Sequence, residues 1–342
     1  MKIRMAWPAA AAAILAIVVA GCANAAPRSD DGYRADIHVH DPTMIEANGT
    51  YYLFGTGDGI EVHSSKDLKT WKAEPRVFAS PPAWTHAIVP DYQGSMWAPD
   101  ISFHHGRYYL YYSVSAIGKN TSAIGLVTNK TLDPASPDYH WVDHGPVIRS
   151  IPYRDLWNAI DPNLALDDDG TPYLVFGSFW GGVKMFRLDA ALDAPAEPQQ
   201  WYTLAKRERD IFVDDAEPEP AAIEAPFIFH HNGWYYLFVS WDYCCRGIDS
   251  TYKIVVGRSR SITGPYVDRS GKEMAQGGGT IVLKGNANYP GVGHNSAYTF
   301  GGQDYLVFHA YDEHDHGQSK LKVTPMHWDH DGWPLIDPHV LD

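Results

Sequence analysis

Apolar and polar positions alternate along this chain in short runs bounded by Gly, Pro, Asn and Asp, a period of two that predicts strands and hairpins. One phrase returns five times: a glycine turn followed by an aromatic-rich apolar strand. It reads Gly49-Thr50-Tyr51-Tyr52-Leu53-Phe54, Gly106-Arg107-Tyr108-Tyr109-Leu110-Tyr111, Gly170-Thr171-Pro172-Tyr173-Leu174-Val175-Phe176, Gly233-Trp234-Tyr235-Tyr236-Leu237-Phe238 and Gly302-Gln303-Asp304-Tyr305-Leu306-Val307-Phe308. The repeat leucines fall roughly 60 residues apart, which leaves room for about four strands and their turns in each interval. Other β-rich stretches lie between them, such as Ile124-Gly125-Leu126-Val127 and Lys253-Ile254-Val255-Val256-Gly257, and no segment carries a long helical period. A repeat of this size predicts an all-β fold, a five-bladed β-propeller, in preference to a sandwich. Residues 34–342 then form a single propeller domain with no linker.

The first 22 residues read as a targeting signal and not as fold. Lys2 and Arg4 precede an apolar run ending at Ala20 that is too short to cross a bilayer comfortably. Val19-Ala20-Gly21-Cys22 resembles a lipobox, which would make a lipidated Cys22 the new N-terminus. Ala23-Asn24-Ala25 offers ordinary cleavage after residue 25 instead, and residues 23–33 make a short tether. The expectation is an exported monomer, a cell-surface or outer-membrane lipoprotein, or alternatively a secreted or periplasmic protein. Its only membrane attachment would be the lipid anchor.

Composition narrows the partners. A net charge of −14 provides no basic stripe for phosphates, which excludes nucleic acid. Twelve Trp and 21 Tyr suit a β-rich protein with aromatic-lined surfaces and a neutral polymer as partner. Cys244 and Cys245 are the cysteines left after processing at Cys22; they form either a vicinal disulfide or two thiols, and they lack the spacing of a zinc site.

The first strand of each propeller blade lines the central channel, so equivalent positions form a ring. Counting back about a dozen residues from each repeat leucine reaches Asp41, Trp97, Asp161, Glu224 and His294. A carboxylate opening a strand is ordinarily a turn residue. Three that converge and are partly buried repel one another and cost stability unless they are used. Glycoside hydrolysis uses such a group: one acid protonates the leaving oxygen, one carboxylate activates water or attacks carbon, and a third charge keeps the acid protonated. Trp97 and Trp180 would offer flat faces to sugar rings.

Six motifs together resemble glycoside hydrolase family 43, and within it the arabinanases. They are Val39-His40-Asp41-Pro42, Met96-Trp97-Ala98-Pro99-Asp100, Asn158-Ala159-Ile160-Asp161-Pro162, Gly177-Ser178-Phe179-Trp180-Gly181-Gly182, Ile223-Glu224-Ala225-Pro226 and Gly293-His294-Asn295-Ser296. The likeness runs from about Asp36 to the end and implies a configuration-inverting propeller that cleaves arabinan, as an endo-1,5-α-L-arabinanase. It implies Asp41 as general base, Glu224 as general acid and Asp161 as the residue that raises the acid's pKa. It also implies substrate contacts from Trp97, Asn158, Ala159, Ile160, Ser178, Phe179 and Trp180, and an axial ion, calcium, held largely through water beside His294.

Other readings compete. His38-Val39-His40-Asp41 has the look of the metal pair opening an amidohydrolase barrel, but that barrel needs alternating strands and helices. A non-catalytic sugar-binding propeller accounts for the aromatics but not for three converging carboxylates. Xylosidase and arabinofuranosidase activities occur on the same family framework. The run from His309 to His316 could suggest a transition-metal site; His309 follows the last aromatic strand and would point towards the channel, whereas His314 and His316 read as solvated turn residues.

Overall fold

Each repeat carries adjacent apolar residues because both faces of its strand are covered. The computed structural model describes residues 33–342 and arranges them in five antiparallel sheets, the blades of a five-bladed propeller. The signal segment, Cys22 and residues 23–32 of the tether lie outside the described residues.

Blades 3 to 5 are simple meanders. Blade 3 begins with Asn163–Leu166 and Pro172–Phe176, blade 4 with Ile223–His231 and Trp234–Trp241, and blade 5 with Val292–Phe300 and Gln303–Asp312. Blade 2 starts with Ser95–His104 and Arg107–Val114, and blade 1 with Thr43–Ala47 and Thr50–Gly55. Blade 1 also gains an outermost strand, Tyr33–Arg34, paired with Trp71–Glu74. The ring closes where the following segment lies along blade 5: Val39 N–H donates to Ser319 O, and Leu321 N–H to Ile37 O. Among the described residues strands do not alternate with helices, so the amidohydrolase reading falls; His38 sits in this seam, bridged to Lys320.

Successive strand residues point to opposite faces, and the second strands use this alternation to bind the ring together. Leu53, Leu110, Leu174, Leu237 and Leu306 are all fully buried. Each packs into a cluster shared with the preceding blade, Leu53 with Val307 and Leu237 with Val175, for example. The next residue turns the other way: Phe54 joins the cluster of Leu110, and Phe238 that of Leu306. Burying one such leucine contributes about 1.5–3 kcal/mol, so the repeated dipeptide is itself the inter-blade glue.

The innermost strands share a second feature. Each is entered or interrupted at a residue of positive φ: Asp41 at 52°, Ala98 at 46°, Asp161 at 59°, Ala225 at 54° and His294 at 49°. In blade 4 the interruption is a bulge, visible in the pairing, where Glu224 faces Ser240 but Phe227 already faces Phe238. Trp97/Asp100 and Gly293/Ser296 shift in the same way. This corrects the expected ring. Asp41, Asp161 and His294 are equivalent, but Trp97 and Glu224 stand one residue earlier, their counterparts being Ala98 and Ala225. Blade 3 misleads the count because its hairpin is one residue longer between Leu174 and its partner Leu164. Both bulged positions nonetheless reach the same cleft.

Candidate active site

A break in strand geometry leaves a backbone N–H without a ladder partner, and the five positive-φ positions therefore present five amides. Each finds a side chain, and four find it on the second strand of the preceding blade or at its end. Ala98 N–H donates to Thr56 Oγ1 at 2.8 Å, Asp161 N–H to Ser113 Oγ at 2.9 Å, His294 N–H to Ser240 Oγ at 2.8 Å, and Asp41 N–H to His309 Nδ1 at 3.1 Å. In blade 3 the corresponding residue is Gly177, which has no side chain to offer and φ of 124°. A Cβ there would lie 2.8 Å from Gly182 O. Asp161 fills the gap, its Oδ2 accepting Ala225 N–H at 3.0 Å. One carboxylate is thus fixed by the geometry of the ring.

The other two carboxylates are fixed by side chains. Asp41 Oδ1 lies 2.8 Å from His40 Nδ1 and 2.9 Å from His294 Nδ1. Its Oδ2 accepts the Thr56 hydroxyl at 2.5 Å, and the same Thr56 oxygen accepts Ala98 N–H. Glu224 accepts from Ser178 Oγ on Oε2 and from Tyr252 Oη on Oε1, both at 2.8 Å. All three carboxylates are buried, at 6–8% exposure, and all line one cleft of about 630 Å³, within the usual range for small-molecule sites.

Burial penalises the charge on each of them, but the neighbours decide the outcome. Burial works to raise Asp41, yet His294 and His40 overcome it and hold this carboxyl well below its usual range. Asp161 is pushed up to about 8, chiefly by burial and further by the Glu224 and Asp41 charges, against the pull of His294. Burial also raises Glu224, more than the Tyr252 and Ser178 hydrogen bonds lower it. Burial lowers His294, but Asp41 outweighs it and lifts the imidazole to about 9. The cleft therefore holds one firmly ionised carboxylate against an imidazolium, and beside them two carboxyls whose protonated forms burial favours.

Of the residues expected to touch substrate, Trp97, Asn158, Ile160, Ser178, Phe179 and Trp180 line this cleft. Ala159 does not: it is fully buried, with its N–H on Ser150 Oγ. Trp180 does not stand as an open platform either. It is 2% exposed, and its indole N–H is held by Asp215 O from the covering segment. Trp97 remains half-buried. The sequence reading missed Tyr252, Thr56 and Ser240, whereas His309, expected to point towards the channel, does meet Asp41 there. Thr56, Ser113, Ser240 and His309 share one register position, a signal available once the bulge is known; Tyr252 lies outside any repeat.

With this geometry in view, the comparisons with known proteins are decisive about class. Residues 36–334 match glycosyl hydrolases family 43. The chain is 55% identical over 306 residues to the extracellular exo-alpha-(1->5)-L-arabinofuranosidase ArbA of Cellvibrio japonicus, covering 90% of this chain and 88% of that protein. It is 44% identical to the extracellular endo-alpha-(1->5)-L-arabinanase 1 of Bacillus subtilis, covering 86% and 87%. The solved structure of Cellvibrio cellulosa alpha-L-arabinanase complexed with arabinohexaose superposes with a TM-score of 0.89 at 54% identity, over 90% of this chain and 98% of that one. A cleft of buried carboxyls on a five-bladed propeller is the apparatus of a glycoside hydrolase. This chain belongs to glycosyl hydrolases family 43.

Proposed function

We propose that this enzyme hydrolyses the α-1,5 linkages of arabinan with inversion, Asp41 serving as general base, Glu224 as general acid and Asp161 as the residue that keeps the acid protonated. The observation that carries these roles is the kind of hydrogen bond each carboxyl makes. Asp41 is ionised and surrounded by donors, as a base that takes a proton from water must be. Asp161 and Glu224 compete for one proton. Asp161 Oδ2 faces a backbone N–H, which can only donate, whereas the Ser178 and Tyr252 hydroxyls around Glu224 can each donate or accept. Glu224 can therefore carry the proton without losing its partners, whereas Asp161 Oδ2 must stay unprotonated to keep its amide. In the proposed roles the proton is on Glu224 when substrate is cleaved, and a charge on Asp161 favours it there.

Arabinan as substrate is supported by the names of the Cellvibrio and Bacillus relatives, and the higher identity to the exo-acting one favours release from a chain end over the endo action first expected. Asn158 Oδ1 is buried without a protein partner in the cleft and suits a sugar hydroxyl; Trp97, Ile160, Ser178 and Phe179 supply the surrounding wall. Incubation with linear arabinan tests the reading. One short uniform product supports exo action, a ladder of oligosaccharides means endo action, and no new reducing ends sinks the assignment.

Asp161→Asn separates tuning from scaffolding, because its side-chain carbonyl still accepts from Ala225 while the charge is gone. A carboxyl relieved of a negative neighbour loses its proton at lower pH. The alkaline limb of kcat/KM should therefore move acidward by about one unit or more, with neutral-pH activity falling about tenfold per unit. An unmoved limb removes Asp161 from this role.

An axial calcium ion is part of the proposal, on a narrower basis. Calcium takes six to eight oxygen ligands, and Asn295 Oδ1, buried and unpartnered beside His294, is one such oxygen. His294 itself is turned to Asp41 and His309 Nδ1 accepts from Asp41 N–H, so the unpartnered His309 Nε2 carries the hydrogen and suits a water. The residues fit an ion held mainly through water, which would add positive charge near the base. Export is supported by the extracellular relatives, and lipidation at Cys22 by the lipobox-like sequence.

A further inference from the structure

The catalytic roles leave one chemical feature of the cleft unused. A disulfide joins Cys244 to Cys245, and both residues line the cleft together with Asp41. They lie in the connection between the second and third strands of blade 4, which end and begin at Trp241 and Lys253. Cys245 Sγ is 3.8 Å from His40 Nε2, and the other nitrogen of that ring is 2.8 Å from Asp41 Oδ1. The sulfur is one side chain away from the proposed base. Cys245 N–H donates to Tyr311 Oη at 2.8 Å, and the same hydroxyl lies 3.8 Å from Cys245 Sγ. The pair is thereby seated against blade 5, yet Cys245 remains exposed and Cys244 half-buried.

A cross-link ordinarily stabilises a fold by closing a loop in the unfolded chain, and the effect grows with loop length. Adjacent cysteines close almost no loop, so stability gives this bond little reason to exist. What it does create is a surface. Bonded sulfurs neither donate nor accept strong hydrogen bonds, they are soft and polarisable, and the two are covalently held in one arrangement. A contact surface that is already rigid loses little conformational entropy when a ligand arrives. Polar groups flank it: His40 on one side, and Arg246 stacked 3.9 Å over the Tyr243 ring on the other. An apolar strip between hydrogen-bonding groups matches a sugar ring, which has C–H faces and a hydroxylated rim.

We propose that the Cys244–Cys245 disulfide is a sugar-contacting wall of the cleft, packing against the C–H face of an arabinose unit next to the bond being cleaved. The proposal rests on the arabinan reading. Two arms test it: the double variant Cys244→Ser with Cys245→Ser, and the wild-type enzyme reduced with a phosphine, with alkylation and mass measurement confirming both thiols. In both, KM for linear arabino-oligosaccharides should rise about tenfold, equivalent to about 1.4 kcal/mol of lost contact, while kcat stays within about threefold. The reductant should have no effect on the double variant. If the double variant does not fold, the reduced wild-type enzyme still decides. KM within twofold of the oxidised enzyme, or a joint collapse of kcat and thermal stability, overturns the proposal. Failure of the oxidised enzyme to cleave arabinan at all would instead sink the functional assignment beneath it.

Discussion

Replacing Glu224 with Gln is expected to reduce hydrolysis of arabinan by about a thousandfold, within the range lost when a general acid is removed. The amide keeps the shape and can still meet the Ser178 and Tyr252 hydroxyls that hold Glu224, so the protein should fold and bind substrate with KM little changed. What it cannot do is give a proton to the departing sugar oxygen. The loss should therefore depend on the leaving group. On an arabino-oligosaccharide carrying a dinitrophenyl aglycone, which departs without protonation, the same variant should be within about tenfold of wild type. Equal losses on both substrates would mean that Glu224 acts by some route other than proton donation.

How much of this was legible beforehand depends on which residues carried a local signal. The propeller was legible because each blade has two buried faces, and that requirement writes itself into the chain as adjacent apolar residues: Leu53 and Phe54, Leu237 and Phe238. Asp41, Asp161, Glu224 and His294 were legible because each begins an innermost strand. Their exact equivalence was not. A bulge adds one residue without any fixed composition, and the longer hairpin of blade 3 hid the offset that puts Trp97 and Glu224 one position early. Trp180 looked like a platform because aromatic residues near carboxylates suggest one; only the fold shows Asp215 O capping its indole N–H. Tyr252 and the sulfurs beside His40 reach the site from the connections of blade 4, where no repeat directs attention. Gly177 is the reverse case. Its missing side chain recruits the Asp161 carboxylate to an amide that a serine, a threonine or a histidine serves in the other blades.

Asp41→Ala provides the second large effect, and it is separable from the first. The variant should fold, because Asp41 is the strongest of the carboxylates that raise His294 against burial, and with it gone the imidazole sheds its proton more readily and does not stay a buried, unpaired charge. Hydrolysis of arabinan should fall by about 10³-fold or more, the loss expected when the group that takes the proton of the attacking water is removed. Unlike the Glu224 loss, this one should persist on the dinitrophenyl substrate, because a good leaving group does not supply a nucleophile. Azide, which needs no base, should restore turnover through the space the carboxylate vacated and yield an arabinosyl azide of inverted configuration. That product alone places Asp41 on the face opposite the leaving group, a position shared by the base of an inverting enzyme and the nucleophile of a retaining one. The anomer first released by the wild-type enzyme, followed by proton NMR, separates them. An inverted sugar makes Asp41 the base. A retained sugar together with an inverted azide would make it a nucleophile and overturn the inverting mechanism, and undiminished turnover in the variant would remove Asp41 from the chemistry altogether.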